Sequence, residues 1–134
     1  MRQLNYDKLE KEVRAKYKFV KDTNIDILDS YGRTGYTPRT NSIVLFTDTI
    51  NEANKSGHFK RRFGKQSTNN LIILALLHEI CHVKQHNSYS ENFLEEEKLK
   101  IVDDESHDNS VLEKEADKFA KQEFKRLNLT KLYR

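Results

Sequence analysis

Apolar and polar positions along the chain alternate with two periods, and these predict its elements. Tyr6, Leu9, Val13, Tyr17 and Val20 recur at spacings of 3, 4, 4 and 3. That spacing predicts an amphipathic helix whose stripe packs on a sheet or on the chain's most apolar helix. Residues 24–28 alternate like a strand, and residues 31–38, with Gly32, Gly35 and Pro38, are turn-rich and extended at their edges. Residues 41–47 are β-branched and aromatic and form the clearest strand. Residues 48–54 predict a short helix within a polar stretch. The unbroken apolar run Leu71, Ile72, Ile73, Leu74, Ala75, Leu76, Leu77 predicts a buried helix, with Ser67, Thr68 and Asn69 as candidate N-caps. Residues 90–102 predict a charged helix with Phe93, Leu94, Leu99, Ile101 and Val102 facing inward, and residues 103–110 a loop. Apolar positions 112, 116, 119, 120, 124 and 127 mark a last amphipathic helix. The expected fold class is α+β, with a short mixed or antiparallel sheet packed on the apolar helix and on further helices. Without repeats or a Ser/Gly-rich linker, residues 1–134 are expected to form a single domain.

Composition narrows the function classes. Hydrophobic content is 36% and charged content 34%, but the apolar residues are concentrated in periodic segments, as in a small folded domain. No apolar region follows the N-terminal residues 1–7, and the longest apolar run, residues 71–77, is far short of a membrane span. A protein of the cytoplasm with no membrane partner is therefore expected. The single cysteine, Cys81, cannot form an internal disulfide and reads as a small buried hydrophobe. The net charge of +3 is unevenly placed: residues 91–117 carry 11 acidic and 3 basic side chains, whereas residues 1–65 and 118–134 are basic. Residues 58–65 are basic with two aromatics, Phe59 and Phe63. A lone basic patch without a reader fold reads as a solvated loop, and direct nucleic-acid binding is not expected.

The candidate chemistry begins where the apolar run ends, at His78-Glu79-Ile80-Cys81-His82. A helix rises ~1.5 Å per residue, so positions four apart lie on one face about 6 Å from each other. Two imidazoles so placed can share one Zn²⁺. Glu79, turned about 100° from His78, can reach a water at that metal and serve as a general base. Two histidines and a glutamate in so apolar a segment demand an explanation, because burying such groups is costly unless they are paired or bind a metal.

A catalytic zinc needs a third protein ligand. An HExxHxxGxxH pattern would place Gly at 85 and His at 88, but the chain has Gln85 and Ser88. His86 continues the stripe but lies about 12 Å along the helix axis from His78. The better candidate is Glu113, in the helix beyond. There the small Ala116 and Ala120 would admit close approach to the first helix, and Asp117, one turn on, could fix a ligand histidine's tautomer. Glu115 points away from that face and reads as solvated.

HEICH followed by EKEADKFA resembles the gluzincin-type zinc peptidases, and specifically the ImmA/IrrE-like metallopeptidases. The matching residues are His78, Glu79, His82, His86, Glu113, Ala116, Asp117, Phe119 and Ala120. Beyond them the chain departs from the family's apolar, proline-containing stretch and reads Lys121-Gln122-Glu123-Phe124-Lys125-Arg126-Leu127. The resemblance implies a zincin-like domain, one zinc ion held by His78, His82 and Glu113, and Glu79 as catalytic base. It implies a protein or peptide substrate, and within this group a helix-turn-helix, DNA-binding repressor supplied in trans. A strand ahead of the metal helix would offer a free edge to the substrate, here residues 41–47. Candidate donors to the developing oxyanion are His86, Tyr89, His107 and Tyr36. The competing readings are a minimal gluzincin or SprT-like protease of other specificity, a non-catalytic zinc-containing binding module, and a nucleic-acid-binding accessory protein using residues 58–65.

Overall fold

The computed structural model describes residues 3–133, so Met1, Arg2 and Arg134 of the termini lie outside the described residues. Among the described residues there are seven α-helices and one three-stranded sheet, an α+β arrangement: α1 Tyr6–Lys16, β1 Asn24–Leu28, β2 Gly35–Thr37, β3 Ser42–Phe46, α2 Thr47–Lys55, α3 Lys60–Phe63, α4 Thr68–Ser88, α5 Glu91–Leu99, α6 Asp104–Asp108 and α7 Val111–Phe124.

The sheet is mixed. Its order is β1-β3-β2, with β1 parallel and β2 antiparallel to β3. Ile25 pairs with Ile43 and Ile27 with Leu45, so these four share the face turned to the core. The expected free edge of residues 41–47 does not exist. β3 is the central strand, because the chain passes from β1 to the far side of β3 before returning as β3 itself. The edges belong to β1 and β2.

α4 organises the rest. Its side chains from Leu71 to Leu74 and from Leu76 to Cys81 are all buried, as expected of a helix that is apolar all round. It packs on α7, α2, β2, β3 and the turn Lys18–Val20. Ser67 caps it, accepting a hydrogen bond from the Asn70 N–H at 3.1 Å. The predicted first helix is real but stops at Lys16; a separate 3-10 turn, Lys18–Val20, carries Val20 inward onto α4. α1 itself rests against the C-terminal turn Leu129–Leu132, and the bridge between Leu4 and Tyr133 joins the two ends.

Three expectations are corrected. Residues 58–65 are no solvated loop: they contain α3, anchored by the buried Phe63, with Arg62 tied to Asp117 in α7. Residues 103–110 contain α6, nucleated by an Asp103/Ser106 capping box. Leu99 and Val102 are 79% and 82% exposed rather than inward. Leu99 sits about 140° around the helix from the buried Leu94, and Val102 lies beyond the helix end. Among the described residues no helix is long and apolar enough to cross a membrane.

Candidate metal centre

His78 and His82, one helical turn apart on α4, turn their Nε2 atoms to within 3.1 Å of each other. Glu113 comes from the first turn of α7, where Ser110 caps the helix by accepting the Glu113 N–H. Ala116 and Ala120, both fully buried, let α7 lie close against α4. As a result Glu113 Oε2 stands 3.3 Å from His78 Nε2 and 2.5 Å from His82 Nε2. These three residues form a group able to hold one metal ion. Ligands at ~2.0–2.1 Å around a tetrahedral ion would be about 3.3 Å apart, close to two of the three separations here.

The outer hydrogen bonds determine what those atoms offer. Asp117 Oδ1 lies 2.8 Å from His78 Nδ1, and a carboxylate can only accept, so His78 Nδ1 carries the proton. Gln85 Oε1 lies 2.7 Å from His82 Nδ1. In its neutral form each ring, with the proton on Nδ1, presents a bare Nε2 lone pair toward Glu113. Among the described residues no hydrogen-bond donor meets the buried Glu113 Oε2. With both rings neutral, three lone pairs converge with no hydrogen between them, which is unfavourable unless a positive charge, a proton or a metal ion, lies among them.

The electrostatics agree. Burial works against charge on His78, but Asp117 and Glu113 outweigh it and hold its pKa up at about 9. Burial likewise opposes charge on His82, and Glu113 overcomes it. Burial pushes the Glu113 carboxyl up, yet the two imidazoles hold it well below the usual carboxylate range. Asp117 is depressed to about 2, the His78 and Arg62 hydrogen bonds overcoming burial. The site is thus an attractor for positive charge, whether protons or a metal.

Glu79, buried on α4, has Oε2 4.0 Å from His78 Nε2. It lines a cleft of about 960 Å³ together with the three candidate ligands. Of the four candidate oxyanion donors, Tyr36 and His107 line this cleft, and His86 and Tyr89 do not. His107 Nε2 is 2.7 Å from Glu113 Oε1. The His86 ring stands edge-on to Tyr36 with centroids 5.7 Å apart. The Tyr89 hydroxyl donates to Glu115 Oε2 at 2.7 Å. Glu115 is away from the ligand cluster but not merely solvated, since Gln85 also donates to it. Cys81 is buried, and burial pushes its thiol up to about 12.

Two contributors were not legible as such. Gln85 could have been suspected from its place three residues after His82 on one helix. Arg62 could not: it donates to both Asp117 oxygens, at 3.0 and 2.7 Å, across 55 residues of sequence, while flanked by the Phe59 and Phe63 rings. Compared with protein-family models, with curated proteins and with solved structures, the chain finds no match in any of the three, and its own geometry must carry the functional reading.

Proposed function

We propose that the protein is a zinc-dependent endopeptidase. The observation that carries this reading is the convergence of His78 Nε2, His82 Nε2 and the unpartnered Glu113 Oε2, with the Glu79 carboxylate beside them in an open cleft. Two imidazoles and one carboxylate suit zinc, and three protein ligands leave a position for chemistry. A zinc ion held there supplies Lewis acidity, polarising a scissile carbonyl and acidifying the attacking water.

The chain's own residues do the rest. Glu79 takes the proton from the attacking water and hands it to the departing amine. Of the four candidate donors, His107 and Tyr36 line the cleft wall and would turn their N–H and O–H to the oxygen that gains negative charge. Tyr36 belongs to β2, whose outer edge pairs with no strand among the described residues, and Gly35, Tyr36 and Thr37 all line the cleft. An extended peptide can add to that edge by backbone hydrogen bonds, with little demand on its sequence. The resemblance of HEICH and EKEADKFA to the ImmA/IrrE-like group supports a helix-turn-helix repressor as the protein cleaved.

The test is to load purified protein with zinc, incubate it with a denatured proteome and count new peptide N-termini by mass spectrometry. Cleavage should require zinc and vanish in Glu79→Gln, while plasma mass spectrometry still finds near-stoichiometric zinc in that variant. Unchanged cleavage by Glu79→Gln, or a wild-type protein that takes up no zinc, would overturn the reading.

A further inference from the structure

Gln85, one of the two residues that depart from the HExxHxxGxxH pattern, is 1% exposed near the end of α4. A glutamine is rarely so buried, and its amide must then be fully partnered. It is. The Nε2 group donates to the Leu112 carbonyl at 2.9 Å and to Glu115 Oε1 at 3.1 Å, and Oε1 faces His82 Nδ1 at 2.7 Å. Only one orientation of the amide works. A flip would set its oxygen against a carbonyl and a carboxylate, both of which can only accept. The oxygen must therefore face His82, and His82 must carry its proton on Nδ1. Leu112 and Glu115 both lie in the first turns of α7 and bracket Glu113. One side chain thus touches the second candidate ligand and grips the segment that carries the third.

We infer that Gln85 is a positioning residue of the metal centre, holding His82 in its ligating tautomer and pinning the α7 turn that presents Glu113. This rests on the metal-binding reading above. It goes beyond that reading by making one buried amide the coupler between the two helices. Partners that orient a ligand histidine are worth about 10–100-fold in metal affinity.

The experiment titrates chelator-stripped wild type, Gln85→Met, Gln85→Glu, and Gln85→Glu combined with Glu115→Gln with zinc against a chromophoric chelator. The same four are examined by cobalt absorption spectra, and zinc-loaded wild type is examined by long-range proton–nitrogen NMR of its histidines. Gln85→Met is expected to bind zinc about 10–100-fold more weakly and to show an altered cobalt d–d band. Gln85→Glu keeps an acceptor for His82 but sets a carboxylate against Leu112 and Glu115, and should also weaken binding. Adding Glu115→Gln supplies a donor and removes the like charge, leaving the carboxylate opposed to the Leu112 carbonyl alone, and should recover part of the lost affinity.

NMR should place the His82 proton on Nδ1. A proton on Nε2 would overturn the inference, and this readout needs no variant to fold. Folded variants with wild-type zinc affinity and cobalt spectra, differing only in the melting of the chelated protein, would also overturn it and leave the metal reading standing. A wild-type protein that binds no zinc would instead sink the metal reading itself.

Discussion

Replacing Asp117 by Asn tests how much of the candidate metal site depends on a residue outside the His78, His82 and Glu113 cluster. Asp117 accepts from His78 Nδ1 and from two nitrogens of Arg62. Asp117→Asn leaves Arg62 without its counter-charge and weakens the hold on the His78 ring, so zinc affinity should fall about 10–100-fold in a chelator competition. Arg62→Ala spares the His78 hydrogen bond and should cost less. Equal losses from both would show that Arg62, rather than Asp117, sets the ring. The raised pKa of His78 makes a pH prediction for the chelated protein. Its stabilising interaction with Asp117 and Glu113 is fully present below the unfolded value of 6.5 and is lost as pH rises through about 9. The melting temperature of the chelated protein should therefore fall across that window. The zinc-loaded protein should lack this loss, because a metal rather than a proton sits on the imidazoles. A chelated protein whose melting temperature is flat from pH 6.5 to 9 would contradict the His78 geometry.

At the scale of elements, the two that carry the site were legible and several that surround it were not. α4 and α7 declare themselves through local spacing: an apolar run capped by Ser67, and a stripe through Ala116 and Ala120. Those two alanines predict a measurable packing limit. Ala120→Leu adds three carbons where α7 meets the core, and should destabilise the protein by ~1–3 kcal/mol in urea denaturation while weakening zinc binding. A variant as stable as wild type would mean that the helices have room between them. By contrast α3 has only four residues, too few for a periodic signal, and is held by the burial of Phe63 and the reach of Arg62. α6 is also short, and starts at a capping box made with Ser106 instead of the more familiar Glu or Gln. In α5 the apolar residues Phe93, Leu94 and Leu99 cannot share one face, so composition alone misplaced Leu99.

For the molecule as a whole, the centre joins parts far apart in sequence: α4 gives two candidate ligands, α7 the third, α6 brings His107 and α3 brings Arg62. A cation bound there ties α4 to α7 and should stabilise the fold by mass action. At free zinc one hundred times the Kd, the gain is ~2.7 kcal/mol, readable as a rise in melting temperature that Glu113→Gln abolishes. The same rise in Glu113→Gln would place the zinc elsewhere.

The amino-acid sequence by itself determined the α+β class, the main helices and strands, and the pair of histidines one turn apart, because each depends on spacing within a few residues. It also pointed to Glu113 and Asp117, since the alanine stripe that seats α7 and the acidic groups share that helix. Only the tertiary structure decided that β3 lies at the centre of the sheet and β2 at the cleft, because strand order depends on which way a connection folds back. Only it revealed Gln85 and Arg62 behind the candidate ligands and sorted His107 and Tyr36 from His86 and Tyr89. Those outcomes rest on contacts between distant segments and on the direction of individual side chains, neither of which leaves a period in the sequence.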